Sequence, residues 1–172
     1  MENLKIEIAT LEDAEGILNV QRNTWLCVYP NTEHGISKQD IQEKIDGFEL
    51  KWWKKIASSN NKTGKRVWVA KLNNETVGFG GAMKEGEMNR LTSIYVLPNC
   101  QRKGVGKALI EEILKFLGEE KPIVIEVVSY NDKAINFYKK FGFVKNRDIT
   151  PTRHAKLPSG KMMPEIEMIR RF

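Results

Sequence analysis

One junction in the sequence constrains the fold more than any other, because a strand pattern gives way there to a helix pattern across two glycines. Residues 88–97 read as a strand, and from Gly104 onward apolar residues recur on one helix face until Gly118. Those apolar residues are Val105, Leu109, Ile113 and Leu117. Glycine lets a backbone approach a ligand closely, and the first amides of a helix point outward with the positive end of its dipole. The junction at 101–107 therefore has the outline of a phosphate site in a domain of mixed strands and helices.

Two capping signals predict two helices near the amino terminus. Thr10 with Asp13, and Ser37 with Asp40, have the spacing at which a hydroxyl and an acid together close the start of a helix. The first helix is predicted to bury a stripe made of Leu11, Ala14, Leu18 and Trp25. The second is predicted to continue unbroken to about residue 58 on apolar residues at steps of three and four, which are Ile41, Ile45, Phe48, Trp52 and Ile56.

Short apolar runs between turn residues predict the strands. They lie at 4–8, 66–72, 76–84, 88–97 and 123–128, with two more on either side of Pro158-Ser-Gly160. The polar stretch 59–65 reads as a loop, and a further helix is predicted over 131–140. With 172 residues, 41% of them hydrophobic, and no repeat or linker, residues 1–172 are expected to form one domain with its own core.

Positive charge is concentrated in the second part of the chain. The net charge is +6, and residues 1–100 contain 13 basic and 13 acidic side chains, so the whole excess lies in residues 101–172. Such an excess favours a ligand that carries phosphates or carboxylates. Nucleic acid is one such ligand, but no motif interleaves aromatic and basic residues, so we expect no nucleic-acid partner.

The cysteines and the amino terminus indicate the compartment. Cys27 and Cys100 are too few for a disulfide framework, and no Cys or His pair has zinc-ligand spacing, so no metal is expected. The amino terminus lacks the features of a signal peptide, and no apolar run approaches the ~18 residues of a membrane-spanning helix. A cytoplasmic protein with no membrane partner is the expectation.

Residue spacing at the junction separates three kinds of phosphate loop. A Walker loop needs Gly and then Ser or Thr where Gln101 and Ala108 stand. A dinucleotide fingerprint needs Gly or Ala where Leu109 stands. The pattern Gln-x-x-Gly-x-Gly, formed by Gln101, Gly104 and Gly106, instead resembles the pyrophosphate loop of the GNAT superfamily of N-acetyltransferases.

The segments on either side of the loop strengthen this resemblance. Ile94-Tyr-Val-Leu-Pro98 resembles the family's strand before the loop, and Asn131-Asp-Lys-Ala134 with Phe137-Tyr138 and Gly142-Phe143 resembles its next motif. Features of the ribosomal-protein alanine and of the diamine or polyamine N-acetyltransferase branches are both present. The resemblance implies an α+β fold, an α/β sandwich. Its mostly antiparallel sheet of about seven strands would have helices on both faces and splay between strands 4 and 5 around acetyl-CoA.

The resemblance also implies a set of residues that bind coenzyme A. Ile94, Tyr95 and Val96 break the alternation of their strand, as a bulge or a segment covered on both faces would. In the family, the backbone there pairs with the pantetheine arm. Basic side chains that flank the loop would contact the phosphates. The full predicted set is Ile94, Tyr95, Val96, Gln101, Arg102, Lys103, Gly104, Val105, Gly106, Lys107, Asn131 and Tyr138.

Acetyl transfer to an amine requires a proton for the departing thiolate and a neutral amine. Tyr138 lies on one helix face with Asn131, and the resemblance puts it near the sulfur. A phenol with a pKa of about 10 is protonated at neutral pH. Tyr138 is therefore the predicted general acid. Glu126 interrupts the apolar strand 123–128, five residues before Asn131, where the ribosomal-protein alanine branch carries its base. Glu126 is therefore the predicted base. A Glu126 that faces solvent or forms an ion pair, with ordered water as the base, is the alternative.

In the family the acceptor enters between the first two helices and the connection of the last two strands. These walls correspond to residues 25–40, where Trp25 and Tyr29 are candidate substrate-binding residues, and to residues 150–161. The second wall has no acid and four basic residues: Arg153, His154, Lys156 and Lys161. This charge favours a peptide amino terminus or a small amine metabolite over a polyamine. A polyamine or diamine acceptor, a non-catalytic acyl-CoA-binding module and a homodimer stay open.

Overall fold

The computed structural model describes residues 3–58, 60 and 64–172, so the predicted loop at 59–65 lies partly outside the described residues. The strands of the described chain are β1 (Leu4–Ile8), β2 (Lys65–Leu72), β3 (Glu75–Met83), β4 (Asn89–Val96), β5 (Ile123–Val128), β6 (Val144–Ile149) and β7 (Glu165–Arg170). The α-helices are α1 (Ala14–Val28), α2 (Lys38–Asp46), α3 (Leu50–Ser58), α4 (Val105–Leu117) and α5 (Asp132–Lys139). Across these residues, no helix combines the length and apolarity needed to cross a membrane.

All seven strands form one sheet in the order β1-β2-β3-β4-β5-β7-β6. Every neighbouring pair is antiparallel except β4 and β5, which run parallel. Parallel neighbours need a crossover connection, and α4 lies in that connection. The predicted α+β fold with a mixed, mostly antiparallel sheet is therefore confirmed.

The parallel pair of strands β4 and β5 is short and then opens. Asn89 faces Ile123 and Arg90 faces Val124, after which β4 pairs with β3 alone and β5 with β7 alone. The closed end is held by the buried Asn89, whose backbone N–H donates to Pro122 O at 2.8 Å. Its side-chain Nδ2 donates to Leu117 O at the end of α4 at 2.9 Å. The gap between β4 and β5 thus widens toward the carboxyl ends of both strands, as predicted.

Helices cover both faces of the sheet. On one face α4 buries Leu109 and Ile113 completely, in a core cluster that also contains Tyr138 of α5. On the other face α1 buries Ile17 against Phe79 of β3. The carboxyl end of α1 packs with α2 in a further cluster that reaches Val128 at the end of β5. The gap therefore lies between two helical layers, with α4 and α5 on one side and α1 and α2 on the other.

The predicted second helix is wrong in one respect, because the structure has two helices where the pattern indicates one. The chain leaves the helix at Gly47 and resumes at Leu50. Arg22 of α1 explains the break, since its guanidinium donates to Ile45 O at 3.3 Å and to Phe48 O at 2.8 Å. Carbonyls at a helix end lack intrahelical donors, so a side chain from another helix stabilises the end there.

The predicted inward stripes of the first two helices are also shifted. Leu11 is 54% exposed and Trp52 53% exposed, whereas Trp53 packs edge-on against Phe79 with ring centroids 4.9 Å apart. Residues 11–13 form a 3-10 turn ahead of α1, which rotates Leu11 out of the helical stripe. The break after Gly47 changes the rotation of α3 in the same way.

Of the two explanations for the broken alternation at Ile94 to Val96, coverage on both faces is the one observed. Helices cover both faces of this end of β4. Residues 94–96 pair with β3 in regular register. A bulge lies two residues earlier, because Leu91 faces Ala82 and Ser93 faces Gly81, which leaves Thr92 as the extra residue.

Helix α4 lies close to β3 because a glycine occupies the point of contact. A Cβ at Gly80 would stand 2.7 Å from Ile113 Cδ1 and 3.1 Å from Ser93 O. The absent side chain therefore sets the distance between α4 and the sheet, and with it the position of the amino end of α4.

We expect Gly80→Ala to lower the free energy of unfolding by about 1–3 kcal/mol, because the buried Ile113 side chain and the β4 backbone must both move. Denaturant unfolding followed by circular dichroism measures this change. Gly47→Ala is the control, since its nearest contact is 3.4 Å from Lys44 O and its φ is negative. A Gly80→Ala protein as stable as the Gly47→Ala protein would contradict the prediction.

Candidate active site

The glycine junction folds into a cradle for an anion at the amino end of α4. Gly104 caps the helix with a left-handed φ of 84°, a conformation that favours glycine. The first helical hydrogen bond runs from Ala108 N to Gly104 O at 3.0 Å, so the amides of residues 105–107 are those that a helix leaves for an outside partner. A Cβ at Gly104 would meet no atom within 4 Å, so the space beside the loop is open.

The side chains predicted to bind phosphate surround this cradle. Gln101 Nε2 donates to Val96 O at 3.2 Å and thereby ties the loop to the end of β4. Arg102, Lys103 and Lys107 are exposed around it. The structure therefore brings the predicted phosphate-binding residues to the wide end of the gap. There the positive end of the α4 dipole and the exposed basic side chains can both attract phosphate.

All four tyrosines of the chain, called here the tyrosine cluster, meet at the gap. The hydroxyl oxygens of Tyr29 and Tyr95 are 3.4 Å apart, and the Tyr130 hydroxyl donates to Tyr29 O at 2.8 Å. Tyr138 approaches from α5 on the opposite face, near enough to Tyr95 for the Tyr95 phenol to raise its pKa. One strand, one helix and two connecting segments thus contribute hydroxyl groups to one place.

Burial controls the ionisation of the tyrosine cluster. It raises the pKa of Tyr130 to about 12 and raises the pKa values of Tyr29 and Tyr138 well above 10. Burial also raises the pKa of Tyr95. All four hydroxyls are therefore protonated at neutral pH, so they can donate hydrogen bonds or protons while carrying no charge.

Asn131 starts α5 and thereby sets the position of Tyr138. Its Oδ1 accepts the Ala134 N–H at 3.2 Å as an N-cap. Two turns later Tyr138 is 5% exposed, with its ring edge-on to Phe137 and Phe143 at centroid distances of 5.3 and 5.9 Å. Packing therefore holds the Tyr138 ring, and Asn131 has a capping role in addition to the predicted ligand contact.

Glu126 lies on β5 just beyond the last pair with β4. Its Oε1 is 2.7 Å from Arg90 Nη1, and Arg90 Nε also donates to Glu85 at 3.1 Å. The Glu126 side chain is 31% exposed. Of the two arrangements weighed from the sequence, the ion pair is observed, while the role of Glu126 as a base stays a prediction.

The two predicted walls of the acceptor entrance are joined to each other. Lys161 Nζ lies 2.9 Å from Asp40 Oδ2 and 2.8 Å from Gly35 O, and Lys44 Nζ donates to Lys156 O at 2.7 Å. Asp40 therefore neutralises Lys161. The positive charge that disfavours a polycation at this entrance is smaller than the residue count predicts.

Both candidate substrate-binding residues, Trp25 and Tyr29, lie at the gap. Trp25 is 6% exposed, and its Nε1 has no hydrogen-bond partner among the described residues. It lies near the Tyr95 hydroxyl, close enough to influence its ionisation but outside hydrogen-bond geometry. A buried donor without a partner costs about 1–3 kcal/mol, so Trp25 Nε1 is suited to donate to a ligand oxygen.

Tyr130 is the member of the cluster that the sequence analysis missed. It follows the end of β5 directly, and His34 of the loop after α1 stacks on its ring with centroids 4.8 Å apart. Topology was the signal that could have identified Tyr130. Tyr95 lies near the end of β4 and Tyr130 lies just after the end of β5, and these strands border the gap.

Comparison with known proteins agrees with this geometry. A family model described as "Acetyltransferase (GNAT) domain" matches residues 63–145. The uncharacterized N-acetyltransferase ycf52 of Pyropia yezoensis is 30% identical over 129 residues, covering 70% of this chain and 72% of that protein. The peptidyl-lysine N-acetyltransferase YiaC of Escherichia coli is 35% identical over 77 residues, which are 44% of this chain. That match spans about half, 48%, of the length of the relative.

Solved structures share the fold across nearly the whole chain. The PaiA N-acetyltransferase of Thermoplasma acidophilum, solved in complex with coenzyme A, gives a TM-score of 0.80 at 18% identity and covers 99% of both chains. The ribosomal-protein-S18-alanine N-acetyltransferase of Escherichia coli gives 0.66 at 20% identity, covering 98% of this chain and 93% of that one. At such identities the likeness is one of fold. The resemblance predicted from residues 91–143 is confirmed.

The contact between Lys161 and Asp40, which joins the two walls, predicts a pH dependence of stability. The Ser159 and Ser37 hydroxyls and the Lys161 ammonium beside it hold the pKa of Asp40 well below its usual value of 3.8. A carboxylate whose pKa falls on folding stabilises the folded state above its unfolded pKa and loses that contribution as the pH falls through the folded value.

We therefore expect Asp40→Asn to lower the Tm at pH 7, and the difference from the unsubstituted protein to shrink once the pH falls below about 4. Thermal unfolding across the acid range measures this difference. Glu43→Gln, at an exposed acid of the same helix, is the control. A deficit of Asp40→Asn that stays constant from pH 7 to the acid limit would exclude a stabilising charge at Asp40.

Proposed function

The chain belongs to the GNAT family of N-acetyltransferases, and on this basis we propose that it transfers the acetyl group of acetyl-CoA to a primary amine by direct attack within a ternary complex. The observation that carries the proposal is the gap between β4 and β5. The anion cradle lies at its wide end and the tyrosine cluster lies inside it. A phosphate-bearing thioester finds matching groups for both of its ends there.

We propose that acetyl-CoA, the acyl donor of this family, lies along this gap. The open amides of residues 105–107 suit the pyrophosphate, and the β4 edge at residues 94–96, which has no partner strand on the β5 side, can pair with the pantetheine arm. Because Asn131 Oδ1 is engaged as a helix cap, its Nδ2 is the group left for the ligand. Further phosphate contacts would come from Gln101, Arg102, Lys103 and Lys107. When bound, acetyl-CoA supplies an activated thioester carbonyl.

Tyr138 is the proposed proton donor. Its pKa is raised by burial, so the hydroxyl is protonated at neutral pH and can protonate the thiolate as it departs. The packed ring keeps this hydroxyl in one position, which reduces the cost of ordering it during the reaction. Tyr95 lies near enough to raise the pKa of Tyr138 electrostatically, which also keeps the Tyr138 hydroxyl protonated before the reaction.

Glu126 is the base proposed from the sequence, and its ion pair bears on that proposal. Arg90 already pairs with the carboxylate at 2.7 Å. To accept a proton from an ammonium, Glu126 would have to loosen this contact. Ordered water or a second carboxylate is the alternative base.

The proposed acceptor is the amine of a peptide, such as an amino terminus, or a small amine metabolite. Trp25 Nε1 lacks a protein partner among the described residues and would donate to an oxygen close to the amine, which peptides offer and polyamines do not. The name of the peptidyl-lysine N-acetyltransferase relative supports a peptide in the same way. Since Asp40 neutralises Lys161, a polyamine is kept as the second candidate.

The direct test is incubation of the protein with acetyl-CoA and a panel of peptides, amino acids, aminoglycosides and polyamines. Mass spectrometry of each amine and release of free thiol are the measurements. We expect acetylation of at least one peptide or small amine, matched by thiol release. Binding of acetyl-CoA without acetylation of any amine would instead indicate a non-catalytic acyl-CoA-binding module.

We expect Tyr138→Phe to lower kcat by about 100-fold or more, because the general acid is lost while the ring still packs. Steady-state kinetics with the acceptor found in the panel measure this change. The Kd for acetyl-CoA, measured by calorimetry, should stay the same and serves as the internal control. Turnover at the normal rate would remove Tyr138 from the mechanism.

A further inference from the structure

Carboxylates that are not fully exposed are almost all neutralised in this protein. Six such side chains occur among the described residues, and five form ion pairs: Asp13 with Lys71, Asp40 with Lys161, Glu112 with Lys115, Glu126 with Arg90 and Glu167 with Arg147. The sixth, Glu165, has no cationic side chain within ion-pair distance among those residues. A partly buried charge without a counter-ion is costly, so its presence calls for a reason.

Glu165 stands at the start of β7, beside the wide end of the gap. It faces Val128 on β5 and Ile149 on β6, and directly opposed residues of antiparallel strands share a face of the sheet. Val128 packs in the core cluster that contains Trp25, Tyr29 and Tyr95. Glu165 therefore lies on the face that α1 and α2 cover, next to the tyrosine cluster.

The hydrogen bonding of Glu165 leaves one carboxylate oxygen for a ligand. Oε2 accepts the Thr152 N–H at 2.6 Å, and among the described residues no group donates to Oε1. The carboxylate acts on the cluster from this position, since burial and then Glu165 raise the pKa of Tyr95. The wall at residues 150–161, whose side chains are basic, thus holds a carboxylate in place through its backbone.

We propose that Glu165 binds the ammonium group of the acceptor and accepts a proton from it, an inference that rests on the proposed acetyl transfer. The ammonium gives one proton to the Glu165 carboxylate, and the neutral amine then forms the N–C bond to the acetyl carbon. The C–S bond breaks, and Tyr138 protonates the thiolate. The second proton of the nitrogen returns to the Tyr138 oxygen, and Glu165 releases the first proton to water.

Glu165 differs from Glu126 and Glu167 on this face because it has no counter-ion among the described residues. Glu126 and Glu167 lie opposite each other on β5 and β7, and each already holds an arginine. Inside the gap an ammonium meets neutral hydroxyl groups and aromatic faces, and Glu165 is the partly buried carboxylate there that has no counter-ion among the described residues. The site therefore selects cationic primary amines.

The test uses the acceptor with the highest kcat/KM in the amine panel. Glu165→Gln is expected to raise the KM of that acceptor about 10- to 100-fold, the size of a lost hydrogen bond between charged groups, and to lower kcat as well. The Kd for acetyl-CoA should not change. Glu165→Asp should recover part of the activity. Glu167→Gln, on the same strand and face but ion-paired to Arg147, is the matched control and should leave the acceptor KM within about threefold.

A second pair of variants keeps Glu165 intact. Ile149→Lys places an ammonium opposite Glu165 and should raise the acceptor KM by occupying the site. Val144→Lys adds the same charge to the same strand, opposite Ile169, and should leave the acceptor KM unchanged.

Unchanged acceptor KM values in both Glu165→Gln and Ile149→Lys, with acetylation intact, would overturn the role of Glu165 alone. A larger effect of Glu126→Gln than of Glu165→Gln would overturn it too and return the base to Glu126. Absence of acetylation of any amine by the unsubstituted protein would overturn this inference together with the proposed function.

Discussion

The short pairing of β4 with β5 is the constraint on which the rest of the site depends. Backbone N–H and C=O groups need partners, and two parallel strands that stayed together would satisfy each other along their whole length. Here they part after Arg90 and Val124. The buried Asn89 fixes the point of separation by bonding to Leu117 O and Pro122 O, at the two ends of the connection from α4 to β5. Everything beyond that point presents free strand edge to a ligand.

The second property of the site is its distribution of charge. The cations lie outside, around the cradle, where they can meet phosphates, while the interior of the gap holds protonated phenols. The partly buried acidic side chains of β5 and β7 on the sheet face that α1 and α2 cover are held by arginines, with Glu165 as the exception among the described residues. Positive charge therefore lies where the coenzyme would bind, and negative charge lies where the amine would bind. The region between them, where the acetyl group would be transferred, carries no charge.

Features within one stretch of chain could be predicted from the sequence. The cradle at residues 101–107, the helix that begins at Asn131 and the face that carries Tyr138 depend on near neighbours, so spacing was enough to predict them. The break at Gly47 depends on Arg22 of another helix, and the ion pair of Glu126 depends on Arg90 of another strand. The position of Glu165 follows from register with Val128. No local pattern encodes such pairings, which explains why the helix count was not foreseen and why the sequence left the ion pair of Glu126 as one of two alternatives.

The tie between Lys161 and Asp40 joins segments 121 residues apart, whereas the coenzyme side of the gap is built within one continuous stretch from β4 to α5. The acceptor side and the coenzyme side of the enzyme can therefore change independently during evolution. If the acceptor enters between the two walls as proposed, changes in residues 30–37 and 150–161 would alter which amine is accepted without disturbing the donor side, provided that the tie is kept. A lineage can in this way acquire new acceptors while its use of one acyl donor stays constant.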